Sequence, residues 1–159
     1  MAVMAPTGDA DMVRTLAELL IVLALIYIGA AAVGRQQATW TVFLVLGVVF
    51  ALLRLQDWVP PYAALTVLAA NLLGWLAASR GFDSTVRVLA VATAGFATAA
   101  IIAVEVGGNV ARFVVAAGWI AHSGWDCVHY HSNRTVARSF AEFCAIVDLF
   151  VGIAVLAFG

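Results

Sequence analysis

The sequence predicts an all-α protein, a polytopic transmembrane bundle of about six helical spans, and three observations predict it. The residues are 65% hydrophobic and only 11% charged, with a mean hydropathy of +1.05, far from the balance of a domain solvated by water. Six apolar runs reach or approach the roughly 20 residues a helix needs to cross a hydrocarbon core about 30 Å thick. The connections between them, "GRQQA", "RLQDWVPP", "SRGFDST", "VGGN" and "HSNRT", are short and carry turn residues and charges. Residues 1–159 therefore read as one membrane domain with a short polar tail at 1–14.

The first run extends from Thr15 to Gly34. Its small residues "GAAAVG" resemble a cleavage region, but the preceding tail holds Asp9 and Asp11 instead of a basic cluster, so it reads as a retained span. The second runs from Thr39 to Leu55, the third from Pro60 to Ser79 and the fourth from Ser84 to Val106. The fifth and sixth run from Asn109 to His131 and from Val136 to Phe158. All are too long and too continuously apolar for the short alternating strands of an outer-membrane barrel. Helix is the spanning form that remains, because every backbone polar group must be satisfied within the segment.

Charge narrows the partners and suggests an orientation. With eight arginines, no lysine and a formal net charge of −1, the chain has no basic field to hold nucleic acid. Membrane lipids and an apolar small molecule are the expected partners, with a homo-oligomer as an open option. Abundant Ala, Val, Gly and Arg beside absent lysine suggest a GC-rich bacterial genome and hence an inner membrane. Arg35, Arg80, Arg87, Arg134 and Arg138 share the face of the first, third and fifth connections, whereas Arg14, Arg54 and Arg112 lie opposite amid acidic residues. The positive-inside rule then places the first face in the cytoplasm and both termini outside. Cys127 and Cys144 fall in apolar segments and read as inert thiols.

The fifth run contains "GWIAHSGWDCVHYHSNR". His122 and Asp126 are four residues apart and Asp126 and His129 three apart, which puts all three on one helix face. A charged group at such depth costs at least ~2.5 kcal/mol on insertion scales, so these groups are expected to face a bundle interior and act there. If the hairpin turns at Ser132 and Asn133, uniform rise along two antiparallel helices sets Glu142 level with Asp126 and Asp148 slightly beyond His122. The same count places Asn71 and Tyr27 near the His122 to Asp126 level and Glu18 deeper, near Asp148.

Imidazole with carboxylate is the ligand set of Zn, Fe or Mn. His122, Asp126, His129 and Asp148 are the candidate metal ligands; His122 and His129, about 10 Å apart along the axis, are awkward ligands for one ion. Asp126, Glu142, Asp148 and Glu18 are the candidate catalytic carboxylates, with Glu142 as general base. Asn71, Trp125, Trp119 and Tyr27 are candidate substrate contacts. Two other readings stay open: acid/base or proton-relay chemistry without a metal, and a hydrogen-bonded network that only fixes packing.

Residue counts remove several membrane chemistries. Three histidines cannot supply the His-boxes of a membrane di-iron oxygenase. A retinal Schiff base requires a lysine, and a bis-histidine haem within one protomer requires axial ligands on two helices. Two functions remain in view. One is a membrane-embedded, metal-assisted enzyme acting on a lipid-like or isoprenoid substrate, as a hydrolase or as an acid/base isomerase or cyclase. The other is a proton or divalent-ion transporter using the same groups as an oligomer.

Trp119, His122, Trp125, Asp126 and His129, followed by Cys144 and Asp148, resemble the signature of small bacterial integral membrane proteins of unknown function. The resemblance covers the last two spans. It implies that Cys144 and Asp148 belong with the histidines and implies no activity. Where those proteins have two adjacent histidines, this chain has "HYH".

Overall fold

A computed structural model describes residues 8–158. It contains six α-helices: α1 (Gly8–Val33), α2 (Thr39–Arg54), α3 (Pro61–Arg80), α4 (Ser84–Val106), α5 (Gly108–Ser132) and α6 (Arg138–Phe158), with a 3-10 turn at Gln36–Ala38 before α2. Five are long and apolar enough to cross a membrane. The exception is α5, which at 25 residues is long enough but carries the polar stripe that dilutes its apolar content. Six spans therefore become six helices, five of them with spanning composition. The polar tail expected at 1–14 is also shortened: α1 already starts at Gly8, and residues 1–7 lie outside the described residues. Asp9 and Asp11 in its first turn favour that start, since acidic groups complement the positive end of the helix dipole.

The bundle is organised around α1. It packs on α2, α3, α4 and α5, and α5 packs most extensively on α6. Trp40 and Phe43 of α2 meet Phe140 of α6 edge-on or tilted, at 5.2 and 5.7 Å between ring centroids, which closes the ring of outer helices. From Leu20 to Ile28 every residue of α1 is buried. The outer helices instead turn Leu44, Val48, Val67, Val91, Ile146 and Phe150 outward, the pattern of faces solvated by acyl chains.

Small residues set the closest approaches. A Cβ on Gly152 of α6 would lie 2.7 Å from Ile120 Cγ1 and 3.1 Å from the Ala116 carbonyl of α5, and one on Gly118 would lie 2.6 Å from Leu20 of α1. Apolar side chains gain little by leaving lipid for protein, so close backbone packing of this kind is what associates helices in a membrane. The connections pin the same end together. Asn133 ends α5 in the left-handed region at φ 48, and its carbonyl accepts from Gln36 Nε2 at 2.7 Å, joining the first and fifth connections. Thr39 Oγ1 accepts from the Ala137 amide at 3.1 Å and ties the starts of α2 and α6.

Candidate metal and catalytic centre

The buried residues of α5 include Val115, Trp119, His122, Asp126 and His129; those of α6 include Ala141, Cys144, Asp148 and Gly152. Spacings of three and four residues make each set one stripe, and the two stripes face each other. Ser123 Oγ donates to the Ala145 carbonyl at 2.6 Å, and Trp119 Nε1 donates to the Leu16 carbonyl at 3.0 Å. These bonds fix α5 against α6 and α1 and so hold the side chains between them.

Three of the expected residues come together. His122 Nδ1 lies 2.8 Å from Asp148 Oδ2 and 3.1 Å from Asp126 Oδ2, with all three side chains 2% exposed or less. The Tyr27 hydroxyl of α1 donates to the other oxygen of Asp126. Tyr27 thus enters the centre as a partner of Asp126 and not as the substrate contact its level suggested. One donor atom from each of His122, Asp126 and Asp148 lies within 4.8 Å of the others, so the group could hold a metal ion. The donor set fits: imidazole and carboxylate suit Zn, Fe or Mn, and bonds of roughly 2.0–2.2 Å to one ion leave neighbouring donors about 3 Å apart. His122 Nε2 is buried and has no hydrogen-bond partner.

Several expectations are corrected by placement. His129, expected as a ligand, stands outside the group: its Nδ1–H donates to the Trp125 carbonyl at 3.0 Å, and its ring packs on Tyr27 at 4.6 Å and on Trp125 at 4.5 Å. Glu142 is exposed on the outer side of α6. It shares a depth with Asp126 but lies six residues from Asp148, about 240° around the helix from the buried stripe. Asn71 is exposed on α3 and bonds its own helix at Val67 O, 2.7 Å away. Trp119 is committed to the α1 backbone. Only Trp125, half-buried beside His129, borders open space.

Glu18 is fully buried but belongs to a second cluster. Its carboxylate lies 3.4 Å from Arg54 Nη1 and 3.7 Å from Arg14 Nε, while Arg54 also holds Asp11 at 3.1 Å. On α1 the stretch between Glu18 and Tyr27 is entirely apolar and buried from Leu20 onward, so no polar chain links the two clusters along that helix. Sequence reasoning missed Arg54, although positions 18 and 54 are equidistant from the turn at Gln36. It also missed Phe96 of α4, whose ring packs against His122 at 4.9 Å; a lone phenylalanine in an apolar span gives no signal.

Phe96 and Trp125 form the boundary between this centre and a groove of about 880 Å³ between α4 and α5. Comparison of the chain with protein families, curated proteins and solved structures finds no match.

Proposed function

We propose that the protein is a membrane-embedded, metal-assisted enzyme acting on a lipid-like substrate, with His122, Asp126 and Asp148 holding a divalent ion of the Zn, Fe or Mn type. One observation carries this reading: two buried carboxylates converge on one imidazole nitrogen with no permanent cation beside them. Lysine is absent from the chain, and among the described residues neither aspartate pairs with an arginine. Even with His122 protonated the group would be short of one positive charge, in surroundings where an uncompensated charge is strongly disfavoured. A divalent ion supplies that charge and, when bound, the means to polarise a substrate oxygen or to activate water.

The chain's own residues have separable tasks. Tyr27 orients Asp126 by donating to one oxygen, which leaves the other directed at His122. Ser123 keeps α5 and α6 in the register that lets Asp148 reach His122. The general-base role first expected of Glu142 falls to the second carboxylate oxygen of Asp148, the one not directed at His122, which would accept a proton from a reacting group inside the bundle. Phe96 and Trp125 keep the centre dry while leaving the apolar groove one ring away. The substrate would enter sideways from the bilayer, in the inner membrane of a bacterium.

Elemental analysis of detergent-purified protein, grown with added Zn, Fe and Mn, tests the reading. The expected result is about one equivalent of metal per chain, falling below a tenth of an equivalent in Asp148→Asn, with the α-helical signal retained. Less than a tenth in the wild-type protein would remove the metal from the proposal.

A further inference from the structure

The geometry points to the α4–α5 groove as the seat of a single lipid chain whose anionic headgroup is held by Arg87, a step that rests on the reading of the centre as an enzyme of lipid-like substrates. The groove is bounded on α4 by residues from Arg87 to Ala99 and on α5 by residues from Val114 to Val128. Its length is about 18 Å along α4, from twelve helical rises, more than half the hydrocarbon thickness of about 30 Å. Among the described residues Arg87 is the only charged one bordering it, and it stands at one end.

The glycines show that this space is built in and is not a packing defect. A Cβ at Gly118 or Gly152 would strike a neighbour at 2.6 or 2.7 Å, so those glycines permit close helix contact. Gly95 and Gly124, which border the groove, are different: a Cβ on either would meet nothing within 4 Å. None of the described helices approaches them, and their small size instead keeps the floor of the groove low. Ala92 and Ala121 continue the same strip of small residues. An apolar trough floored by small side chains can seat a hydrocarbon chain, and the arginine at its end favours an anionic lipid over a helix of a second copy.

Charge and level decide the direction in which the chain lies. Arg87 is in the first turn of α4, exposed, and makes no ion pair among the described residues. At that position it stands near the headgroup layer, where a guanidinium can bond a phosphate through two parallel N–H donors. Arg87 lies 20 residues before the Gly107 turn and Val128 lies 21 after it, so the two are level. Asp126 and His122 are then about 3 and 9 Å deeper, by two and six rises. The cluster therefore stands beside the first bonds below the headgroup, and not beside the chain's end. The occupant is an anionic phospholipid of the adjoining leaflet, with its linkage region next to Trp125 and its acyl chain running on past Phe96.

The full chain, reconstituted in vesicles of equal phosphatidylglycerol and phosphatidylcholine and then extracted into detergent, tests this by mass spectrometry of retained lipid. Wild-type protein should keep about one equivalent, enriched in phosphatidylglycerol. Arg87→Gln should lower that enrichment about fivefold, the scale of one arginine at a membrane surface. Gly124→Leu, entering open space, should lose retained lipid of both kinds while its melting temperature stays near wild type. Equal retention of the two lipids, unchanged in Arg87→Gln and in Gly124→Leu, would mean annular lipid only and overturn the inference. Asp148→Asn separates the two proposals: it should lose metal and keep the lipid, so selective lipid retention by a metal-free wild-type protein would defeat the metal and leave the groove standing.

Discussion

Two acidic clusters occupy this bundle, one gathered on the buried Glu18 and one wholly buried between α5 and α6, and they differ in how their charge is balanced. At one end Glu18 and Asp11 face Arg14 and Arg54, two carboxylates against two guanidinium groups that never lose their charge. Between α5 and α6, Asp126 and Asp148 face only His122 and a tyrosine hydroxyl. The first cluster is balanced in charge as the chain supplies it. The second has no permanent cation beside it among the described residues, and that deficit, not burial alone, sets Asp126 and Asp148 apart from Glu18. Glu18 is as deeply buried as Asp126, yet two guanidinium groups balance its charge, even though its Oε1 accepts no hydrogen bond.

The comparison can be broken first at Arg54. Arg54→Ala removes the closer cation from Glu18 and should cost about 3 kcal/mol in unfolding measured in detergent, the low end for stranding a buried charge because Arg54 is partly exposed and Arg14 remains. Adding Glu18→Gln to that variant should recover most of the loss, and neither change should alter metal content. A loss of metal in Arg54→Ala with the fold intact would show that the two clusters are one.

The next effect in size sharpens the other side. Tyr27→Phe removes the donor to Asp126 and should destabilise the protein by about 1–2 kcal/mol, the cost of a buried acceptor left with one partner fewer. If a divalent ion satisfies Asp126, added metal should shrink that penalty. An unchanged penalty over a metal titration would mean that Asp126 is satisfied by protein alone. The smallest effect is expected at Glu142. Glu142→Gln should stay within about 0.5 kcal/mol of wild type and keep its metal, as for an exposed position; a metal loss there would return Glu142 to the centre.

Much of this arrangement was legible in the sequence because membrane helices obey two simple rules. Length and apolarity gave the number of helices, and the spacing of His122 and Asp126 gave one face of α5. Counting residues from the α5–α6 turn brought Asp148 to the level of His122, and the structure joins them at 2.8 Å. The same count misplaced Glu142, because depth alone ignores direction around the helix. The buried series Ala141, Cys144, Asp148, Gly152 has the three- and four-residue spacing that would have excluded it. Asn71 failed for the same reason on α3. The packing order of the helices was not legible, since apolar runs of similar composition do not say which of them stands in the middle. Only the unbroken apolar circumference of α1 between Glu18 and Tyr27 hinted at it, and that pattern is shared by any isolated span.

The central position of α1 has a consequence for assembly. This segment leaves the ribosome before the four helices it packs on, yet from Leu20 to Ile28 its whole perimeter is destined to be hidden. Until they arrive it must rest in lipid alone, which its even greasiness permits at every angle except Glu18. That one acid has Arg14 beside it from the start, but its closer partner, Arg54, reaches the bilayer only after the second helix is complete. Insertion of the first hairpin as a unit, not helix by helix, would spare the chain that interval.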